Sequence, residues 1–101
     1  MISSVDMVVV AHCADYLRRK EAIEKGHLSK RTMMELRYLN FKMLDAACEL
    51  VGDSDAEIFI AEIGARRGYA SSSIPYISEV AYKQKKQELK LALARKIHLI
   101  D

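Results

Sequence analysis

The sequence has 101 residues, half of them hydrophobic and 30% charged, and its formal net charge at neutral pH is only +2. This composition excludes an intrinsically disordered chain, and the longest apolar run, MVVVAHCA, is far short of the roughly 20 residues that a bilayer span needs. We therefore expect one domain over residues 1–101, with a single hydrophobic core and no membrane partner. With no signal-peptide pattern at the amino terminus, we expect a cytoplasmic location and reduced thiols at Cys13 and Cys48.

The first predicted helix covers residues 4–25. Ser3 and Asp6 have the spacing of a capping box, apolar residues then recur every three or four positions from Val5 onward, and Gly26 ends the pattern. A rival interpretation is a strand ending in VAHCAD, which resembles the strand and metal-binding loop of zinc-dependent deacetylases of the LmbE type. The chain lacks the proline and paired aspartates of that loop and is too short for a doubly wound sheet, so we favour the helix.

Two further helices are predicted at 30–51 and 55–67. In the first of these, an apolar stripe contains one polar residue, Asn40, whose side chain should be hydrogen-bonded if it is buried. In the other, Ser54 and Glu57 have capping-box spacing and precede a short apolar pattern. We expect the apolar positions of both helices to face the core.

The last predicted helix covers residues 73–99 and is the longest, at about 40 Å. It would extend beyond a small helical bundle, and apolar residues lie on both sides of its KQKK segment. We therefore predict a homo-oligomer in which the C-terminal helix contacts a second copy. The expected fold is all-α, a small four-helix domain with this long C-terminal helix.

Charge is distributed unevenly along the second half of the chain. Residues 66–96 contain eight basic and two acidic residues, whereas residues 52–65 contain four acidic residues and no basic one. Segregation of this kind indicates a surface that faces an anion. An ordinary solvated helix with many lysines explains the same pattern, and both interpretations stay open.

The stretch IAEIGARRGYASSSIPYISEV resembles the helix-turn-helix of DNA-binding regulators. Gly64 is small where two helices can cross closely, Gly68 can take the left-handed conformation that reverses the chain, and two isoleucines then bury one side of a new helix. The serines and Pro75 agree with a helix start near residue 73, because proline is tolerated in the first turn of a helix.

This resemblance implies that the turn presents polar side chains to double-stranded DNA. Backbone N–H groups at the start of the last helix favour a phosphate, and the arginine and lysine side chains nearby would contact further phosphates. We expect Ser72 and Tyr76 to contact bases. The complete predicted nucleic-acid-binding set is Arg66, Arg67, Ser71, Ser72, Ser73, Tyr76, Lys83, Lys85 and Lys86.

A longer stretch, PYISEVAYKQKKQELKLALARKIHLI, resembles the carboxyl end of ArpU-type phage transcriptional regulators. In those proteins a short turn leads into a helix rich in tyrosine and lysine, which ends in an alanine-rich segment. The resemblance covers about a quarter of the chain. It implies a sequence-specific DNA-binding regulator encoded by a phage or prophage.

No pattern in the sequence indicates catalysis, a metal or a cofactor. The chain has no CxxC, HxxH or HExxH spacing and no phosphate-binding glycine loop, so we expect a non-enzymatic protein. The alternative function is that of a helical adaptor or structural protein, which acts through protein–protein contacts of its methionine-bearing second helix and its last helix. Binding to duplex DNA that weakens with salt distinguishes the two hypotheses.

Overall fold

The computed structural model describes residues 3–74 and 77–98, which form four α-helices and one short 3₁₀ turn. The helices are α1 (Ser3–Lys25), α2 (Lys30–Val51), α3 (Asp53–Gly64) and α4 (Glu79–Lys96), and the 3₁₀ turn is Tyr69–Ser71. The described residues contain no strand, which confirms the predicted all-α fold and excludes the alternative strand near the amino terminus. No helix in this part of the chain is long and apolar enough to cross a membrane.

The bounds of α1 and α2 agree with the sequence prediction to within one residue. Ser29 caps α2, since its hydroxyl accepts a hydrogen bond from the Thr32 N–H at 3.2 Å. Gly26 and Gly52 follow the ends of these helices with φ values of 70° and 84°, positive values that glycine adopts without a steric penalty. Both predicted glycine stops are therefore confirmed.

The predicted bounds of α3, residues 55–67, are wrong at both ends, since the helix covers Asp53–Gly64. The helix begins at Asp53, directly after Gly52, and has no side-chain cap, so Ser54 lies inside the first turn. Glu57 does not close a capping box, because its carboxylate instead accepts hydrogen bonds from Lys20 and Tyr16 of α1. A tertiary contact has displaced the local one.

The predicted start of the last helix is also wrong. α4 begins at Glu79 rather than near residue 73 and has 18 residues. Its cap is Ser78, whose hydroxyl accepts from the Ala81 N–H at 3.1 Å. Ser72 does not cap the helix: its hydroxyl donates to a side chain of α3, described below, and accepts from the Ile74 N–H at 3.1 Å. Residues 65–74, with 77 and 78, therefore form a connecting segment, and Pro75 and Tyr76 lie outside the described residues.

The chain reversal after α3 also differs from the expected one. Gly68 has φ −96° and ψ −178°, an extended conformation, and Arg66 takes the left-handed conformation instead, with φ 56°. The short turn of a helix-turn-helix is thus replaced by a longer connection that contains the 3₁₀ turn. The helix-turn-helix arrangement itself is not confirmed.

The hydrophobic core lies between the four helices and draws on each of them. Gly64 allows α3 to cross α1 closely, as predicted: a Cβ atom at this position would lie 2.5 Å from the Ala14 backbone nitrogen. The largest fully buried side chains are Val9, Cys13, Met43, Phe59, Ile60, Ile63, Tyr82, Leu89 and Leu93.

Asn40 is buried and hydrogen-bonded, as predicted for a polar residue on the apolar stripe of α2. Its Nδ2 donates to the Tyr16 carbonyl at 3.0 Å, and its Oδ1 accepts from Arg19 Nε at 2.6 Å. Both partners are in α1, so this amide fixes the position of α1 relative to α2.

Candidate nucleic-acid interface

Three of the predicted phosphate-binding residues lie on two segments that meet where α3 ends. Arg66 and Arg67 follow α3 and are exposed, and the Lys86 ammonium of α4 donates a hydrogen bond to the Arg67 carbonyl. Neither guanidinium forms a salt bridge with the described residues. We call Arg66, Arg67 and Lys86 the basic edge.

The other two predicted lysines are already paired. Lys83 Nζ lies 3.0 Å from the Glu79 carboxylate. Lys85 Nζ donates to the Leu50 carbonyl at 3.4 Å and lies 3.9 Å from Glu88. Both ion pairs are exposed and weak, so either lysine can exchange its partner for a phosphate at little cost.

Ser72 and Ser73 do not lie at the start of a helix, where the sequence prediction placed them. The Ser72 hydroxyl donates to Glu62 Oε1 at 2.7 Å, and the backbone N–H and hydroxyl of Ser73 donate to Glu62 Oε2 at 2.8 and 3.0 Å. Ser71 is exposed and its hydroxyl donates to the Gly68 carbonyl. Tyr76 lies outside the described residues.

Glu62 is the residue that sequence reasoning missed. Its side chain is only 2% exposed and accepts a fourth hydrogen bond, from the Tyr82 hydroxyl of α4 at 2.9 Å. We call Glu62 with its donors Ser72, Ser73 and Tyr82 the carboxylate cradle. The one signal in the sequence was an acidic residue inside the apolar run IFIAEIGA, which had been counted only as part of the acidic segment.

Electrostatics keep Glu62 ionised. Burial alone would raise its pKa, but the hydrogen bonds from the Ser73 backbone and from the Ser72, Tyr82 and Ser73 hydroxyls outweigh burial, and the net pKa lies below the ordinary value of 4.5. Burial raises the pKa of the Tyr82 phenol, as does its hydrogen bond to Glu62. Tyr82 therefore stays a donor and Glu62 an acceptor throughout the neutral range.

Tyr82 also connects the cradle to the basic edge. Its ring stacks on Phe59 with centroids 5.5 Å apart, and the Lys86 ammonium lies 5.7 Å from the ring centroid. Burial, and secondarily the neighbouring Lys90, lower the pKa of Lys86. The cradle therefore fixes the position of one member of the basic edge.

The face of α4 opposite the core is exposed and mostly polar. Its residues follow the spacing i, i+3, i+4, i+7 and are Val80, Lys83, Gln84 and Gln87. Lys86, three residues past Lys83, lies on the flank of this outer face, and its ammonium contacts the Arg67 carbonyl there. Gln84 donates to Glu88 at 3.3 Å. This outer face was not predicted from the sequence, in which the helix was expected to begin six residues earlier, near residue 73.

The described residues contain no group of three His, Cys, Asp or Glu side chains that could hold a metal ion. Burial raises the pKa of the Cys13 thiol to about 12, so Cys13 is a protonated core residue rather than a nucleophile. Comparison with protein families, with curated proteins and with solved structures found no match to this chain. The fold and its surface thus define only the general class of the protein, a small all-α domain with a basic edge.

Proposed function

We propose that this chain is a small, non-enzymatic DNA-binding protein that places the outer face of α4 against double-stranded DNA. The observation that carries the proposal is the contact between Lys86 and the Arg67 carbonyl. It joins the segment that carries Arg66 and Arg67 to α4 at Lys86, beside the exposed face of that helix. The resemblance of the C-terminal stretch to ArpU-type regulators supports a phage or prophage transcriptional regulator that acts in the cytoplasm.

The proposal gives the two surfaces different roles. Arg66, Arg67 and Lys86 would contact phosphates, which position the protein without reading sequence. Gln84 and Gln87 can form paired hydrogen bonds with adenine in the major groove, and Val80 can contact a thymine methyl group. Ser72 is unsuited to base contact because its O–H is bonded to Glu62, so base recognition is assigned to α4.

Retardation of a generic duplex at low salt tests the proposal. Replacing Arg66 and Arg67 with alanine should weaken binding to a similar extent on all sequences, and should reduce the slope of log affinity against log salt by about 2. The matched control is replacement of Arg18 and Arg31, which removes the same charge from exposed ion pairs on α1 and α2. The proposal fails if the wild-type protein retards no duplex, or if both double variants lose the same affinity.

Selection from a random-sequence duplex pool then distinguishes residues that position the protein on DNA from residues that recognise bases. Replacing Gln84 or Gln87 with alanine should change the selected sequence, at a cost of about 1–3 kcal/mol for each lost base contact. The Arg66 and Arg67 double variant should select the same sequence as the wild type. An unchanged selection by the glutamine variants would remove the outer face of α4 from the interface.

A second candidate function is that of a helical adaptor, and one observation favours it. Met34, Tyr38 and Phe41 of α2 are 60%, 65% and 66% exposed, although they are among the largest apolar side chains of the protein. Exposed apolar groups of this size on adjacent turns are typical of protein contacts. This surface is on a different helix from the basic edge, so the two functions do not exclude each other.

A further inference from the structure

Three exposed apolar side chains of α2 form one stripe. Met34, Tyr38 and Phe41 are separated by four and then three residues, so they lie on one face of the helix over two turns. Large aromatic side chains at the centre of a surface are the usual anchors of protein–protein contacts. We call these three residues the aromatic stripe.

Grooves lie on both sides of Phe41. One, of about 450 Å³, runs between α1 and α2 and has an apolar floor of Tyr16, Ile23, Phe41 and Leu44. The other, of about 400 Å³, lies between α2 and the end of α4 and is lined by Tyr38, Phe41, Lys42, Asp45, Arg95, Lys96 and His98. Phe41 therefore forms a ridge with a groove on each side, a shape that accepts the side chains of a single helix lying along α2.

The charges around these grooves indicate the partner. The two linings contain five cations, Lys20, Arg37, Lys42, Arg95 and Lys96, and three acidic residues, Glu24, Asp45 and Glu57. Two ion pairs form within these linings, Glu57 with Lys20 at 2.8 Å and Asp45 with Lys96 at 3.9 Å, which leaves three cations and one acid outside them. Arg37 and Arg95 form no salt bridge within the described part of the chain.

We propose that the aromatic stripe is the docking surface for an acidic amphipathic helix of another protein. Apolar side chains of that helix at spacing i, i+3 or i+4, i+7 would enter the two grooves, and its carboxylates would pair with Arg37, Lys42 and Arg95. A second copy of this chain is a poor occupant, because its stripe carries the same excess of positive charge. The inference rests on the adaptor function and is independent of DNA binding.

Fluorescence anisotropy with a labelled model peptide tests the inference. The probe is an 18-residue amphipathic helix with leucine and phenylalanine on one face and glutamate on its flanks, and the reference peptide has lysine at each glutamate position. The glutamate peptide should bind to the aromatic stripe and the lysine peptide should not. Amide chemical-shift changes in the protein should be confined to α1, α2 and the end of α4.

Two pairs of variants locate the contact. Phe41→Ala should weaken peptide binding at least about tenfold, whereas Val80→Ala, which shortens a side chain 76% exposed on α4, should not change it. Arg37→Glu should weaken binding similarly, whereas Arg31→Glu should not, since Arg31 is on α2 outside both grooves and is paired with Glu35. Because Phe41 and Arg37 are exposed, all four variants should keep the wild-type thermal midpoint.

Several results would overturn the inference. These are no binding of the glutamate peptide, equal binding of the lysine peptide, or equal losses in each pair of variants. If the glutamate peptide binds only to a variant truncated after His98, the grooves would be assigned to residues 99–101 of this chain. A wild-type dimer that Phe41→Ala dissociates would assign them to a second copy. The Phe41→Ala variant should retard duplex DNA as the wild type does. Failure of the peptide-docking proposal would therefore leave the DNA-binding proposal standing.

Discussion

Glu62 is the residue at which three separate segments of the chain meet. Its carboxylate belongs to α3, three of its hydrogen bonds come from Ser72 and Ser73 of the connecting segment, and the fourth comes from α4. A buried carboxylate is stable only when its oxygens accept several hydrogen bonds. The cradle thus explains why an acidic residue occurs in an apolar run and why Ser72 and Ser73 do not begin a helix.

Glu62→Gln should destabilise the protein by about 2 kcal/mol at neutral pH, because an amide can accept on one side only and leaves buried donors unpaired. The folded-state pKa of Glu62 is below its ordinary value. The stabilisation is therefore complete above pH 4.5 and is lost as pH falls through the lower folded-state value. Urea unfolding should show a difference between wild type and variant that is largest near neutrality and shrinks in acid.

The control for this prediction is Glu21→Gln, which makes the same change in an exposed ion pair with Lys25. It should leave the free energy of unfolding nearly unchanged. If the difference in unfolding free energy between the wild type and the Glu62→Gln variant is constant with pH, the Glu62 charge does not contribute to stability.

The sequence predicted the hydrogen bonding of some buried polar residues but not of others. Asn40 was predicted to be hydrogen-bonded because an amide on an apolar stripe has few alternatives. Glu62 was not predicted, because its donors are ten or more residues away along the chain and no local pattern connects them. Polar groups satisfied by distant partners are visible only in the folded structure.

At the level of elements, helix ends were predicted where local chemistry acts alone. Gly26 and Gly52 end helices through their own backbone freedom, and Ser29 caps α2 through a neighbour three residues away. The start of α3 was not predicted because Glu57 has a tertiary partner that displaces the local bond. The start of α4 was not predicted because Ser72 is bound to Glu62 of α3, whereas Ser78 caps the helix.

Gly64→Ala should destabilise the crossing of α1 and α3. The added Cβ would lie 2.5 Å from Ala14 N and 2.7 Å from Ala14 Cα, and these are backbone atoms that cannot move without separating the helices. We expect a loss of about 1–3 kcal/mol, even though alanine is the better helix former by about 1 kcal/mol. Thermal unfolding followed by circular dichroism measures the effect.

Gly68→Ala is the matched control for Gly64→Ala. No atom lies within 4 Å of a Cβ at Gly68, and its φ of −96° suits any residue, so the thermal midpoint should change little. If both variants are equally stable, the close crossing does not limit the size of residue 64.

At the scale of the whole molecule, the structure no longer gives a reason to expect a homo-oligomer through α4. That prediction depended on a long last helix whose apolar residues were left uncovered. In the structure α4 has 18 residues, and Leu89 and Leu93 are buried within a single chain. Among the large apolar side chains of α4 only Val80 is exposed, so α4 offers little apolar area to a second copy.

Sedimentation equilibrium should therefore give a mass near 11.5 kDa at micromolar concentration. The excess of cations around the aromatic stripe acts in the same direction, because two copies would bring like charges together. A mass near twice this value, retained in high salt, would show that a surface of this chain is self-complementary, and would restore the oligomer predicted from the sequence.

The carboxylate cradle has a consequence for how the basic edge meets a ligand. A loop that carries binding residues usually loses conformational entropy when it is ordered on association. Here Ser72 and Ser73 of the connecting segment donate to Glu62 of α3, and Tyr82 of α4 donates to the same carboxylate. Partial opening of the segment would leave this buried carboxylate with too few hydrogen-bond donors. The segment should therefore open only together with α4, as one cooperative unit. Arg66 and Arg67 are then presented by an irregular stretch of chain that is already ordered before anything binds.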